Sequence, residues 1–342
     1  MPDKETAKRS RRSSGAITLR DVAKLAGVAP ITASRALNTP GQVSDEVLKK
    51  VKEAVERTGY VPNRMAGGLA SARSRLIAAI VPSTVISVFN ETIEALNAAL
   101  FDAGYQLMLG QSGYSPAREE MLLEAVIGRR PDGIFITGIL PPGKARTRLL
   151  ASGIPVVETW DLTPTPIDML VGFSHSQIGH DVAQFFIKNG RRHLAIVRAE
   201  DERADRRTRA FVEAVAAHGL GVVHVENVGA LRTLRSGRQA LANVLAAKPQ
   251  VDAVFCSSDL LAMGVLTEAR ARHISVPGQL SVMGFGDVPF VADMVPALST
   301  VRINGAQIGH IAARSLMDRA QGHVVAPSIV DVGFSIIERD ST

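Results

Sequence analysis

Thr-Leu-Arg-Asp-Val-Ala-Lys-Leu-Ala-Gly-Val-Ala-Pro-Ile-Thr-Ala-Ser-Arg-Ala-Leu-Asn, residues 18–38, carries the marks of two short helices joined by a tight turn. Thr18 with Asp21 three residues on resembles a capping box, Asp standing where Glu or Gln is usual, and predicts a helix start. Val22, Ala23 and Ala26 recur on one helical face. Gly27 offers the left-handed conformation that ends a helix. Pro30 suits the first turn of a second helix, where its missing N–H is no loss. On that helix Ala33, Ala36 and Leu37 are expected inside, leaving Ile31, Thr32, Ser34 and Arg35 outside. Small residues at the crossing allow the close approach that a helix-turn-helix requires. The plainer alternative is a helical hairpin packed on a larger core.

The next segment favours the first reading. Ser44 predicts an N-cap, Asp45 and Glu46 complement the dipole of the first turn, and Val47, Val51 and Val55 recur every four residues before Gly59. Three helices in about 45 residues form a module with just enough core to fold.

The run Leu19-x-Asp21-Val-Ala-x-Leu-Ala-Gly-Val28, followed by Ser34-Arg35, Leu37-Asn38, Val43-Ser44 and Glu56-Arg-Thr-Gly-Tyr-Val-Pro-Asn-Arg-Met-Ala-Gly-Gly-Leu-Ala-Ser71, resembles the headpiece and hinge of the LacI/GalR (lactose/galactose repressor) family of bacterial transcription regulators. The match runs from 17 to 74. It implies that Pro30, Ile31 and Arg35 read base edges in the major groove of double-stranded operator DNA, while Thr18, Thr32, Ser34 and Asn38 meet phosphates. The headpiece departs from the pattern in two ways. Ala29 replaces the usual Ser or Thr cap of the reading helix, losing about 1 kcal/mol and a phosphate ligand. Pro30 and Ile31 are apolar and suit thymine methyls rather than base hydrogen bonds, so Arg35 is the expected direct reader of a guanine.

Charge is distributed accordingly. The chain of 342 residues has a net charge of +6. Residues 1–75 hold 15 Lys and Arg against 7 Asp and Glu, whereas the remainder holds 24 against 26. The excess is local to the N-terminal fifth, as expected for a phosphate-binding module on a near-neutral body. Length predicts two or three domains. A single cysteine, Cys256, excludes an internal disulfide framework. With no signal-like segment and no apolar run of spanning length, the expected location is cytoplasmic, on the nucleoid.

Residues 1–16 read as a flexible basic arm, adding non-specific DNA affinity or simply solvated. Residues 17–59 form the helical domain and 60–75 the connector. Gly67 and Gly68 each weaken a helix by about 1 kcal/mol, which fits a plain linker. The family resemblance instead implies a hinge helix that orders on DNA, with Asn63 and Arg64 near the backbone and Leu69 wedged between base pairs in the minor groove.

From 76 to 342 apolar runs alternate with amphipathic stretches. Strands are expected at 76–81, 106–109, 133–136, 154–157, 193–197, 252–256 and 280–283, with helices at 88–103, 117–128, 177–189, 205–218, 236–247, 258–272 and 305–319. This pattern gives an α/β fold of doubly wound parallel sheets in two lobes, with crossings expected near 159–166, 284–290 and 319–324. The family resemblance makes this body an effector-binding and dimerisation core similar to periplasmic sugar receptors.

Ligands of such sheets bind at the carboxyl ends of the strands, which here carry Ser83, Thr137, Trp160, Ser258 and Phe285. By the resemblance, Arg207 before Ala210-Phe211 matches the arginine of R-x-x-G-F, Ser258 a polar position that is usually Asn, and Phe89 and Trp160 the walls. Gly286 stands where the family commonly has a sugar-gripping Asp. Losing that carboxylate while keeping Arg207, with Arg198, Arg203, Arg206 and Arg209 close in sequence, shifts the site towards positive. An arginine fork suits a carboxylate or phosphate. The expected effector is therefore a sugar acid such as gluconate. The segments Tyr105-Gln-Leu-Met-Leu109, Gly153-Ile-Pro-Val-Val-Glu158 and Val171-Gly-Phe173 resemble the gluconate-utilisation repressors most closely. The alternative for Arg203, Arg206 and Arg209 is a solvated helix face.

Other signals carry less. His175 and His180 are poorly spaced for a shared metal, and no metal or cofactor is expected. Gly219-Leu-Gly221 follows a helix and lacks a third glycine, so it is not a dinucleotide fingerprint. Cys256 reads as core. No nucleophile with its base and orienting partner is recognisable, so the chain reads as a regulator rather than an enzyme. It is expected to bind a palindromic operator as a homodimer, with a tetramer left open. A sugar-binding receptor or sugar-modifying enzyme with an accessory helical domain is the other class to weigh.

Overall fold

The computed structural model describes residues 17–61, 74–84, 88–229 and 232–342. The basic arm and the hinge positions Asn63, Arg64 and Leu69 lie outside the described residues. Contacts divide the chain into two compact units, residues 1–74 and 75–342.

The first unit holds α1 (Leu19–Ala26), α2 (Pro30–Asn38) and α3 (Asp45–Thr58). The Asp21 carboxylate accepts from both the backbone N–H and the hydroxyl of Thr18, at 2.8 and 2.7 Å. Gly27 closes α1 at φ 67°. Ala29 caps α2 with no side-chain hydrogen bond, and Ser44 accepts from the Val47 N–H to start α3. Val22, Ala23, Ala26, Ala33, Ala36, Val51 and Ala54 form its core. Alanines dominate because the helices are short and cross closely.

The second unit is built on two six-stranded sheets. One contains β1 (Leu76–Val81), β2 (Gln106–Gln111), β3 (Gly133–Thr137), β4 (Val156–Thr159), β5 (Met169–Gly172) and β11 (Ile329–Asp331), in the order β11-β5-β4-β3-β1-β2, all parallel. The other contains β6 (Leu194–Arg198), β7 (His224–Asn227), β8 (Ala253–Cys256), β9 (Ser281–Phe285), β10 (Ser299–Arg302) and β12 (Ser335–Ile337), in the order β12-β10-β9-β8-β6-β7. Only β12 runs antiparallel to its neighbour. Each order reverses beside its first strand, between β1 and β3 and between β6 and β8, which is where a doubly wound sheet opens a ligand crevice.

Helices α4 (Asn90–Asp102), α5 (Pro116–Ile127) and α6 (Lys144–Ser152) follow strands of the first sheet. Those of the second lobe are α7 (His175–Lys188), α8 (Glu202–Ala217), α9 (Leu234–Ala247) and α10 (Asp259–Ala271). The last helix, α11 (Gly305–Ala320), returns to pack on α4. No described helix is long and apolar enough to cross a membrane.

The three lobe crossings differ from the sequence expectation. The stretch 159–166 stays within the first lobe, because β5 beyond it pairs with β4; the chain crosses at 173–174. The stretch 284–290 likewise stays in the second lobe, since β10 pairs with β9, and the crossing falls at 303–304. The third comes at 332–334, between β11 and β12, rather than at 319–324. The error has one source: β5, β10, β11 and β12, each three or four residues long, were not among the expected strands.

The α7–α8 crossing sets the position of the later site. A Cβ added at Gly179 of α7 would lie 2.1 Å from the carbonyl oxygen of Arg207 on α8, so only glycine lets these backbones meet. Gly179→Ala is expected to cost about 3 kcal/mol through overpacking, read as a lower urea midpoint at unchanged slope; an unchanged midpoint would contradict this packing.

Candidate functional site

Within the first unit, α2 presents its outer face to solvent. Ile31 is 63% exposed, and Pro30, Arg35 and Asn38 are exposed as well. Thr32 and Ser34 are half-buried beside them. The Asn38 amide donates to the Ser34 hydroxyl at 3.3 Å. Arg35 has no ion-pair partner among the described residues, so its guanidinium fork is available to a base edge or a phosphate. Thr18 is engaged with Asp21 and serves the helix start in this structure.

Within the second unit a cavity of about 370 Å³ opens at the strand ends of both sheets. Ser83, Phe89, Trp160, Arg207, Ser258 and Phe285, six of the seven positions expected from sequence, line it. Thr137 does not. It ends β3 but lies outside the lining, with its buried hydroxyl unpartnered among the described residues. A strand end fixes the neighbourhood of a residue, and the alternation along the strand decides which face its side chain takes.

Four of the lining residues form an electrostatic knot. Asp201 caps α8 by accepting from the Ala204 N–H at 2.9 Å. It also pairs with Arg232, whose guanidinium lies 4.1 Å over the Tyr114 ring, and more loosely with Arg203 at 4.0 Å. Burial alone would push the Asp201 carboxyl up, but Arg203, Arg207 and Arg232 overcome it and hold the group at about 2. Arg207 is 4% exposed and stacks over Phe285 at 4.0 Å. It donates to His175 Nδ1 at 2.8 Å and to the Ser257 carbonyl at 3.3 Å, and its Nε is buried without a partner among the described residues. Burial lowers this guanidinium to about 10, still cationic at neutral pH. Arg203 lies over the Phe89 ring, and its Nη1 is likewise buried without a partner.

The remaining arginines do other work. Arg206 binds both oxygens of Asp161, at 2.7 and 2.8 Å, and Arg198 pairs with Asp205. Arg209 is exposed. None of the three lines the cavity. The solvated-face alternative therefore holds for Arg209, fails for Arg203, and gives way to ion pairing for Arg206.

Gly286 is explained differently from the simple loss of a carboxylate. Its φ is 130°, and a Cβ there would meet Val88 Cγ1 at 2.2 Å. Val88 fills the space that a side chain at 286 would need, so this pocket has an apolar wall where an acid would otherwise stand.

Apolar walls come from Phe89, Trp160 and Phe285. Trp160 meets Phe89 edge-on at 4.9 Å and donates its indole N–H to Thr92 at 3.1 Å. Trp160 adopts φ 63°, an unfavourable value for a non-glycine residue that the surrounding packing sustains. The acceptors are Asp201 and Asp259. Asp259, the first residue of α10, accepts from Thr300 at 2.6 Å and from the Val288 N–H at 2.9 Å, yet burial pushes its carboxyl up to about 6. Among the described residues no group of three His, Cys, Asp or Glu is arranged to hold a metal ion. The sequence reading missed His175, Asp201 and Arg232. Arg232 sits on a loop with no motif around it, whereas Asp201 before Ala204 had a legible N-cap signal.

The chain is similar to known bacterial regulatory proteins. Residues 18–63 match the family described as bacterial regulatory proteins, lacI family, and residues 183–342 match a periplasmic binding protein-like domain. The HTH-type transcriptional regulator GntR of Pseudomonas aeruginosa is 38% identical over 336 residues, 98% of both chains. The regulator of the same name from Escherichia coli K12 is 32% identical, covering 93% of this chain and 96% of its own. A LacI-family transcriptional regulator from Silicibacter pomeroyi, solved by crystallography, superimposes with a TM-score of 0.89 at 33% identity, over 95% of this chain and 99% of that one.

The Asp259 carboxyl titrates above its ordinary value of 3.8, so the folded chain holds this proton more tightly than the unfolded chain. Its ionisation therefore weakens the fold as pH rises from about 4 through 6, by on the order of 3 kcal/mol in full. In urea unfolding, Asp259→Asn is expected to gain stability relative to the wild type between pH 4.5 and pH 7; a pH-independent difference would contradict the buried, proton-retaining carboxyl.

Proposed function

The chain belongs to the LacI family of bacterial regulatory proteins, and on that footing we propose that it is a repressor that binds a palindromic operator as a homodimer and answers to a sugar acid such as gluconate. The observation that carries the effector assignment is the convergence of Arg203, Arg207 and Arg232 on one cavity, with Arg207 Nε and Arg203 Nη1 buried and without a partner among the described residues. A buried donor left unpaired is costly, and closure of these side chains on a bound carboxylate would relieve that cost.

The charge balance supports a monoanion. Arg203, Arg207 and Arg232 line the cavity together with Asp201 and Asp259, leaving one positive charge in excess when both acids are ionised. The aromatic walls suit the C–H faces of a sugar chain, and Ser257, Ser258 and Gln111 offer hydroxyl and amide partners. Resemblance to the gluconate-utilisation repressors points to the same ligand class. Effector binding between the lobes shifts their closure, and with it the affinity of the head for DNA. On the DNA side Arg35 reads a guanine, Pro30 and Ile31 meet methyl groups, and Thr18, Thr32, Ser34 and Asn38 contact phosphates. Asn63 and Arg64 then track the backbone, and Leu69 is the minor-groove wedge. Twofold protein symmetry would match the symmetry of the half-sites.

Gel-shift assays on the gene's own upstream region, with a panel of sugars and sugar acids, test the proposal as a whole. Arg35→Ala is expected to weaken operator binding by about 1–3 kcal/mol and relax its specificity; unchanged specific binding would remove Arg35 as the reader. By calorimetry, Arg203→Ala is expected to weaken gluconate binding about tenfold or more, as for loss of a charged hydrogen bond. Neutral sugars binding while gluconate, ketogluconates and their phosphates stay silent would overturn the sugar-acid assignment.

A further inference from the structure

We propose that His175 is the positioning residue for Arg207: a single-tautomer relay that takes its orientation from the first lobe and fixes the guanidinium of the second for the effector. The inference rests on the sugar-acid reading only for its consequence in binding; the relay itself stands on geometry.

His175 is the first residue of α7, directly after the first lobe crossing, and is 2% exposed. Its Nδ1 lies 2.8 Å from Arg207 Nη1, and its Nε2 lies 2.9 Å from the carbonyl oxygen of Trp160, which follows β4 in the other lobe. A guanidinium can only donate and a carbonyl can only accept. Nδ1 must therefore present its lone pair and Nε2 must carry the proton, so one neutral tautomer satisfies both ends. Phe173, edge-on at 4.8 Å, and Phe285 at 6.2 Å hold the ring in place. Burial keeps the imidazole well below its usual value of 6.5, and the charges of Arg207 and Arg203 add to that, against a smaller pull from Asp201.

Arg207 needs such a partner. Its plane is set by Phe285, by the Ser257 carbonyl at 3.3 Å, and by the shorter bond to His175. One N–H of Nη1 and one of Nη2 are engaged, which fixes the plane in which the remaining N–H groups point. The attachment of α8 to the first lobe does not depend on His175, because the neighbouring Arg206 binds both oxygens of Asp161. Loss of the imidazole is thus expected to change where Arg207 points while leaving the helix in place.

The test compares His175→Asn, whose amide oxygen falls near the place of Nδ1 and preserves the acceptor, with His175→Phe, which keeps an aromatic ring and removes it. Binding of D-gluconate by calorimetry is expected to fall about tenfold or more in His175→Phe and to recover most of that loss in His175→Asn. Equal losses in both variants, following their thermal stability, would reduce His175 to a packing residue and overturn the proposal. A ligand-free readout separates this from the effector reading. Nitrogen-15 spectra of His175 in the full chain are expected to show the neutral Nε2–H tautomer from pH 8 down to 5, and Arg207→Ala should raise its titration towards the ordinary value. Protonation near pH 6.5 in the wild type, or indifference to Arg207→Ala, would overturn the relay even if gluconate binds; a normal relay in a chain that ignores gluconate would instead overturn the effector assignment.

Discussion

Three guanidinium groups can share one largely buried cavity only if a carboxylate stands among them, and Asp201 fills that place. Like charges in a low-dielectric site repel strongly, and Arg203, Arg207 and Arg232 would otherwise splay towards solvent. Asp201 is fixed by its duty as the cap of α8, the same helix that carries Arg203 and Arg207. The cap and the counter-ion are one side chain, so the geometry of the helix start and the charge of the pocket are set together. Set against Asp201 and Asp259, the three guanidinium groups leave the cavity with a residual positive charge when both acids are ionised.

The apolar framework keeps those charges from relaxing. Phe89, Trp160, Phe173, His175 and Phe285 form a continuous chain of ring contacts from one lobe to the other. Arg203 and Arg207 lie on rings at its two ends. A guanidinium stacked on an aromatic face retains its hydrogen-bonding edge, which is why both can be buried and still offer an N–H. Gly179 lets α7 lie against the backbone of α8 at Arg207, and Val88 occupies the space beside Gly286. The charge of this site is as much a result of packing as of composition.

Much of this was legible before any coordinates. The helical head was written in local signals: the Thr18–Asp21 pair, the C-cap glycine, Pro30 and the alanine spacing act within a few residues of one another. The long buried strands such as β1 and β3 were legible as apolar runs. Strands β5, β10, β11 and β12 were not, and because they decide which lobe a segment joins, the crossings were misplaced. In the pocket, Arg207 came from its neighbours and Trp160 from its strand end. Arg232 and His175 escaped because their roles exist only through partners far along the chain, and Thr137 was assigned by place without regard to which way its side chain turns.

The crossings carry a consequence for how the body is made. The first lobe comprises residues 75–172 together with α11 and β11, so its sheet and its helical cover are completed by a segment beginning only at Gly305. During synthesis the second lobe has nearly all its strands before the first has its last. The earlier-started half must wait on the ribosome with the edge of β5 open and the face of α4 uncovered. A chain interrupted anywhere before β11 leaves that half unfinished, and the nascent polypeptide has every reason to need shelter there.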